Sequence, residues 1–226
     1  MIPTPRDPFP HDLERRALLR AAVRLGLVGL TGTVGGAIAA DSALRPTPAN
    51  ALGPFYPPKK PPDTDADLTR VDGHAQRAAG TILYVAGRVT DTKGKPLGNA
   101  ELELWQANAF GRYMHPADTD ASGPLDPNFQ GYGRLRADAD GRYRIKTIKP
   151  PPYSGRTPHI HFNVASAGTT LTTQLFFEGE PLNERDFLYR YLGRDDRRAS
   201  TGRPVERTPA MESDALAVSW DIVLNI

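Results

Sequence analysis

The segment Pro158 to Val164, PHIHFNV, limits what this chain can fold into more than any other stretch. Successive side chains of an extended strand alternate faces, so His159 and His161 share one face while Ile160, Phe162 and Val164 share the other. One face needs an apolar layer to pack against. The other is left for polar chemistry, and two imidazoles on one face are half of a metal site.

Strand-like segments recur around it. Ile82 to Thr90 reads as a first strand, and DTKGKP from Asp91 to Pro96 carries turn chemistry. Ala100 to Gln106 follows, with Glu101 and Glu103 alternating against Leu102 and Leu104. Asp138, Ala139, Asp140 and Gly141 make a hairpin turn into Arg142 to Ile148, followed by His159 to Ala165, Leu171 to Glu178 and a final strand from Leu216 to Leu224. Only Glu184 to Leu192 reads as helical. Short strands separated by turns predict an all-β chain, an antiparallel β-sandwich with short helices. A chain of 226 residues with 39% hydrophobic content buries one sizeable core, so one domain, residues 81–226, is expected. Residues 41–80, rich in Pro, Asp and Lys, read as an N-terminal arm, within which LGPFYPP (Leu52 to Pro58) is unusually aromatic.

Residues 1–40 have the layout of an export signal: Arg15 and Arg16 precede an uncharged run from Leu25 to Ala40 that ends in small residues. That run is shorter than the roughly 20 apolar residues of a membrane span, so it is read as removed and not as an anchor. ERRALLR resembles the twin-arginine address, with Glu14 where Ser or Thr is common. A periplasmic or extracellular location is expected, with no membrane insertion of the mature chain. Formal net charge is +2 with scattered basic residues, which sets nucleic acid aside as a partner. There are no cysteines, hence no disulfide, thiolate ligand or Cys nucleophile, and metal binding falls to His, Tyr and carboxylates.

Tyr113 in FGRYMHP and Tyr153 in KPPPYSGR adjoin expected strands and are candidate partners for the histidines. A phenol has a pKa of about 10, so its phenolate persists at neutral pH only beside strong positive charge. Ferric iron supplies that charge, and two phenolates with two neutral imidazoles leave the metal with a net charge near +1, suited to a dianionic substrate. Taken alone, the residues also fit a zinc hydrolase, a copper site or surface histidines.

The run ELWQANAFGRYMHP, PLDPNFQGYGR, DGRYRIKTIKPPPY, RTPHIHF and TQLFFEGEP, in that order, resembles the intradiol ring-cleavage dioxygenases over roughly Leu52 to Pro181 and the last strand. The resemblance implies a non-haem Fe(III) held by Tyr113, Tyr153, His159 and His161. It implies cleavage by O2 of a small aromatic diol between its hydroxyl-bearing carbons, giving a cis,cis-muconate-type dicarboxylate. Tyr153 would leave the metal to act as base while Tyr113 stays bound, Arg156 would stabilise carbanion character of the ring, and Gln174 would sit near the oxygen pocket. Trp105, His115 and Tyr56 match positions lining the site or its entrance. One departure is plain: only Ser154 and Gly155 separate Tyr153 from Arg156, where the family has a longer stretch shaping the substrate mouth. Catechol, protocatechuate, hydroxyquinol and larger lignin-like diols are therefore not separated, and monomer and homodimer both stay open. GRVTDTKGKPLGNAELEL also suits a transthyretin-like binding module, which would have no use for the four ligands together.

Overall fold

The computed structural model describes residues 43–119 and 123–226; the expected export signal lies outside them. The described residues form nine strands: β1 (Ile82–Asp91), β2 (Glu101–Trp105), β3 (Tyr132–Arg136), β4 (Arg142–Ile148), β5 (His159–Ser166), β6 (Thr169–Phe177), β7 (Thr201–Pro204), β8 (Leu216–Ser219) and β9 (Ile222–Leu224). Their order is β3-β2-β5-β6-β7-β8-β1-β4, with β9 also beside β1. The expected β-sandwich follows, as β3-β2-β5-β6 and β7-β8-β1-β4 are joined by the short β6–β7 pair.

Period-two patterning explains the core. Leu102 and Leu104 of β2 and Ile160, Phe162 and Val164 of β5 are all fully buried, as are Val85, Val89 and Ile145 of β1 and β4. Phe162 meets Trp220 edge to face at 5.1 Å, tying β5 to the segment between β8 and β9. Fully burying a side chain of this size stabilises by about 1.5–3 kcal/mol. The polar face of β5 is not open: His159 is 1% and His161 2% exposed. Residues 43–80 cover it without a strand or helix of their own, stitched to the sheet by Asn50 N–H donating to Thr172 O (2.9 Å) and Leu68 N–H donating to Lys146 O (2.8 Å). Gly53 lies so close that a Cβ there would come within 2.9 Å of the His161 ring.

Several details depart from the sequence expectations. The final strand is broken at Trp220 and Asp221, because Trp220 turns inward: its N–H donates to Ala86 O, its carbonyl accepts from the Tyr143 hydroxyl (2.6 Å), and its indole donates to Ala199 O. Asp221 meanwhile accepts from Arg88 N–H. Both halves pair with β1 in parallel, as β6 does with β7, so the sandwich is mixed at these points. The segment expected as one helix is a 3-10 turn (Asn183–Arg185) followed by α1 (Phe187–Tyr191), separated by Asp186 in an extended conformation; α2 (Arg194–Ala199) was not anticipated. Strands β3 and β7, one holding Gly133 and the other only four residues long, were too weakly patterned to be seen.

Gly87 in β1 sits against this break: a Cβ there would lie 1.7 Å from the Trp220 carbonyl oxygen, a backbone atom that cannot swing away. Gly87→Ala should therefore destabilise by roughly 1–3 kcal/mol or more, an overpacking cost. Thermal unfolding should show a fall of several degrees; an unchanged midpoint would contradict the packing described.

Candidate metal centre

Three neighbouring strands set the floor of the site. Trp105 of β2 pairs with His161 of β5, which pairs with Gln174 of β6, and directly opposed residues share a face. Trp105 stacks on His161 with centroids 5.0 Å apart and planes 13° from parallel. Tyr113 comes from the segment after β2, where Asn108 accepts from the backbone N–H groups of Phe110 and Arg112, and Asp118 accepts from Tyr113 N–H. Phe55 of the arm stacks on the Tyr113 ring at 4.6 Å. Tyr153 precedes β5 at a two-residue turn in which Ser154 and Gly155 both have positive φ (45° and 76°), the backbone a tight hairpin loop demands.

These elements bring the four expected ligand atoms together. The hydroxyls of Tyr113 and Tyr153 lie 3.1 Å apart, Tyr153 Oη lies 3.2 Å from His159 Nε2, and His159 Nε2 lies 3.2 Å from His161 Nε2. His159 Nδ1 is 2.7 Å from the Thr157 carbonyl, which can only accept, so the ring proton sits on Nδ1 and the Nε2 lone pair faces the cluster. Burial pushes the His159 pKa down to about 3, with Arg156 adding to the effect, and burial likewise holds His161 well below the usual histidine range. Both rings are neutral. Burial also raises the phenol pKa values of Tyr113 and Tyr153. The cluster is thus four neutral side chains crowded around one point. Among the described residues no group of three or more His, Cys, Asp or Glu converges, so the donor set is two imidazoles and two phenols.

Arg156 and Gln174 stand beside this cluster and hold one another: Arg156 Nη2 donates to Gln174 Oε1 (2.7 Å), and Gln174 Nε2 donates to Ala51 O (2.8 Å). Tyr56 and His115 lie further out. The Tyr56 hydroxyl donates to Glu103 (2.7 Å) and its ring meets Trp105 edge-on, while His115 Nδ1 accepts from Ala117 N–H and its ring borders Phe55.

Sequence reasoning missed Asp186. It is 0% exposed, accepts from Arg156 Nε (2.7 Å) and Thr157 N–H (2.9 Å), and with its other oxygen caps α1 at Leu188 and Tyr189 N–H. It lies inside the run expected as one helix, so neither its capping of α1 nor its pairing with a residue 30 positions away is visible locally. Burial alone would raise its pKa, but the Tyr189 N–H and the hydrogen bond and charge of Arg156 outweigh that and hold it below the usual carboxylate range. A depressed carboxylate contributes stability that is present above its unfolded pKa and lost as pH falls through its folded one. Asp186→Asn keeps an acceptor for the cap but loses the charge facing Arg156. It should cost about 1.5–3 kcal/mol at pH 7, the scale of a charged hydrogen bond. The gap from wild type should narrow below about pH 4; denaturant titrations giving the same gap at pH 7 and pH 3 would refute this account.

The Dioxygenase family model matches residues 52–226. Over 173 residues the chain is 40% identical to the protocatechuate 3,4-dioxygenase beta chain of Burkholderia cepacia, covering 71% of this chain and 72% of that protein. It is 34% identical over 164 residues to a catechol 1,2-dioxygenase of Candida albicans, spanning 63% of this chain but only 51% of that one. Among solved structures, the dioxygenase domain of a dioxygenase–carbohydrate-binding protein fusion from Streptomyces sp. SirexAA-E superposes with a TM-score of 0.61 at 30% identity, over 80% of this chain and 99% of that domain. With a β-sandwich of the same kind and a match over more than half its length, the chain belongs to the intradiol ring-cleavage dioxygenase family.

Proposed function

We propose that Tyr113, Tyr153, His159 and His161 hold a non-haem ferric ion, and that the protein cleaves a catechol-type diol between its two hydroxyl-bearing carbons, placing both atoms of O2 in a muconate-type dicarboxylate. The observation that carries this reading is the convergence of two phenol oxygens and two imidazole Nε2 atoms, with contacts of 3.1–3.2 Å. Two phenols and two imidazoles suit a hard trivalent ion. When bound, ferric iron would chelate the diol and supply the charge that favours its deprotonated form. A zinc hydrolase would want a carboxylate beside the histidines, and among the described residues none joins them.

The chain divides the labour between its tyrosines. Tyr113 is 3% exposed, stacked under Phe55 and stapled through its backbone, so it is built to stay. Tyr153 is less buried and stands at the edge of a cavity of about 390 Å³, so it is placed to swing aside and take a proton from an incoming diol. Arg156, steadied by Asp186 and Gln174, keeps its positive charge at a fixed place beside the bound ring, and needs no reorganisation as negative charge develops there. Trp105 and the arm exclude water from the His161 side. Export is included in the proposal, on the strength of the paired arginines and the small-residue run before Asp41. Among the described residues no helix is long and apolar enough to cross a membrane.

The decisive experiment is a visible spectrum of the iron-loaded protein, recorded without oxygen before and after adding catechol. A broad charge-transfer band that shifts with catechol is expected; a colourless iron-loaded protein indifferent to catechol would remove the reading. Tyr113→Phe and His161→Ala should lose iron or activity, and Tyr153→Phe should keep iron while binding substrate slowly. Full activity in all three would disprove the site. Because burial keeps both phenols protonated in the metal-free protein, loading one ferric ion should release about two protons, and affinity should climb with pH. Calorimetry in buffers of different ionisation enthalpy counts them; a count of zero would exclude phenolate ligation.

A further inference from the structure

Glu103 of β2 takes no part in the proposed chemistry, yet it draws together groups from several segments. Its Oε2 accepts from the Tyr56 hydroxyl of the arm (2.7 Å) and its Oε1 from the Tyr132 hydroxyl of β3 (2.5 Å), the Asn163 amide of β5 donates to it at 3.4 Å, and Lys60 Nζ lies 3.7 Å away. Lys60 also sits over the Tyr56 and Tyr132 rings, 3.5 and 4.5 Å from their centroids. Burial opposes a charge on Glu103, but the two hydroxyls and Lys60 outweigh it and hold the carboxyl below its usual range. Burial, with Glu103 adding to it, pushes the Tyr56 phenol up to about 12, so it stays a donor at neutral pH. Tyr56 and Lys60 both belong to the arm, which is fastened a second time where Asn50 N–H donates to Thr172 O (2.9 Å) and Ala51 O accepts from Gln174 Nε2 (2.8 Å). Between the two anchors run residues 52–55, and two of them press on proposed ligands. Gly53 passes so near the His161 ring that a Cβ would meet it at 2.9 Å, and Phe55 stacks on Tyr113 at 4.6 Å. Tyr56 itself meets Trp105 edge-on, and Trp105 stacks on His161.

We propose that Glu103 is a positioning residue for the metal centre: by anchoring Tyr56 and Lys60 it holds residues 52–55 against the His161 and Tyr113 rings, which keeps those two ligands aimed at the metal. This rests on the ferric reading above and deepens it, because the carboxylate bonds to none of the four ligands and acts on two of them through the arm. Groups that fix ligand orientation from outside the ligand set are commonly worth about ten- to a hundred-fold in metal affinity. The Tyr132 hydroxyl supplies the contrast, since it bonds to the same carboxylate from β3 and not from the arm.

The test loads wild type, Glu103→Gln, Tyr56→Phe and Tyr132→Phe with ferric iron, records the position of the charge-transfer band, and then follows its loss in excess EDTA. Tyr56→Phe and Tyr132→Phe each take one hydroxyl from the same carboxylate, so a merely structural role would move both alike. Glu103→Gln and Tyr56→Phe should release iron about ten-fold faster than wild type, the lower end for groups outside the ligand set, and shift the band as the stack of Phe55 on Tyr113 loosens. Tyr132→Phe should keep the wild-type rate and band. Wild-type release from Glu103→Gln, or release from Tyr132→Phe as fast as or faster than from Tyr56→Phe, would overturn this inference alone. Should Glu103→Gln fail to fold, the two tyrosine variants still decide. A wild type that takes up no iron, or takes it up without the band, would overturn the ferric reading as well.

Discussion

Everything at the centre of this molecule depends on β5 being buried on both faces. Ile160, Phe162 and Val164 enter the sandwich, which any sheet of this kind requires, but His159 and His161 are equally dry on the opposite side. An imidazole in such a place cannot carry charge without a partner. Both rings stay neutral, and the Thr157 carbonyl fixes which nitrogen of His159 keeps its proton. Two imidazoles and two phenols are thereby held in contact in a water-poor pocket, the donor set that the proposed ferric ion would satisfy.

A second layer gives the pocket direction. Asp186 is the hinge of that layer, since one carboxylate steadies Arg156, anchors Thr157 and starts α1. The loop bearing Tyr153, the strand bearing the histidines and the helical segment after β6 are thereby set against one another through a few charged and backbone hydrogen bonds. Gln174 passes the same order on to the arm at Ala51. The guanidinium is preorganised by groups distant in sequence, so its position belongs to the fold and not to the loop on which it lies.

How much of this was legible beforehand follows from the range of each signal. Alternation over β5 and β2 is a local pattern, and it marked both the strands and the face on which the histidines lie. Tyr113 and Tyr153 stand out as candidates only because they adjoin expected strands, and the likeness to a family then makes them ligands; the structure brings Tyr113 within contact of Tyr153, and Tyr153 within contact of His159. The inward turn of Trp220 was invisible because it depends on acceptors and donors from β1, β4 and the end of α2. Glu103 reads as an ordinary outward strand acid, yet it gathers the hydroxyls of Tyr56 and Tyr132 under the arm. What sequence could not show was in each case a contact between segments far apart along the chain.

The parallel pairing of β1 with β8 and β9 has a consequence for the order of assembly. Strand β1 occupies residues 82–91 and finds its partner on that side only at residues 216–224, so more than a hundred residues must be made and arranged before the edge is filled. Hairpins such as β5–β6 can close early, whereas this pairing bears the entropy of a very long loop. Until it forms, one edge of β1 exposes unpaired backbone groups beside an incomplete core, the condition in which β-rich chains are most prone to pair with their neighbours. The interval between synthesis of β1 and arrival of β9 is therefore the vulnerable period in the life of this protein.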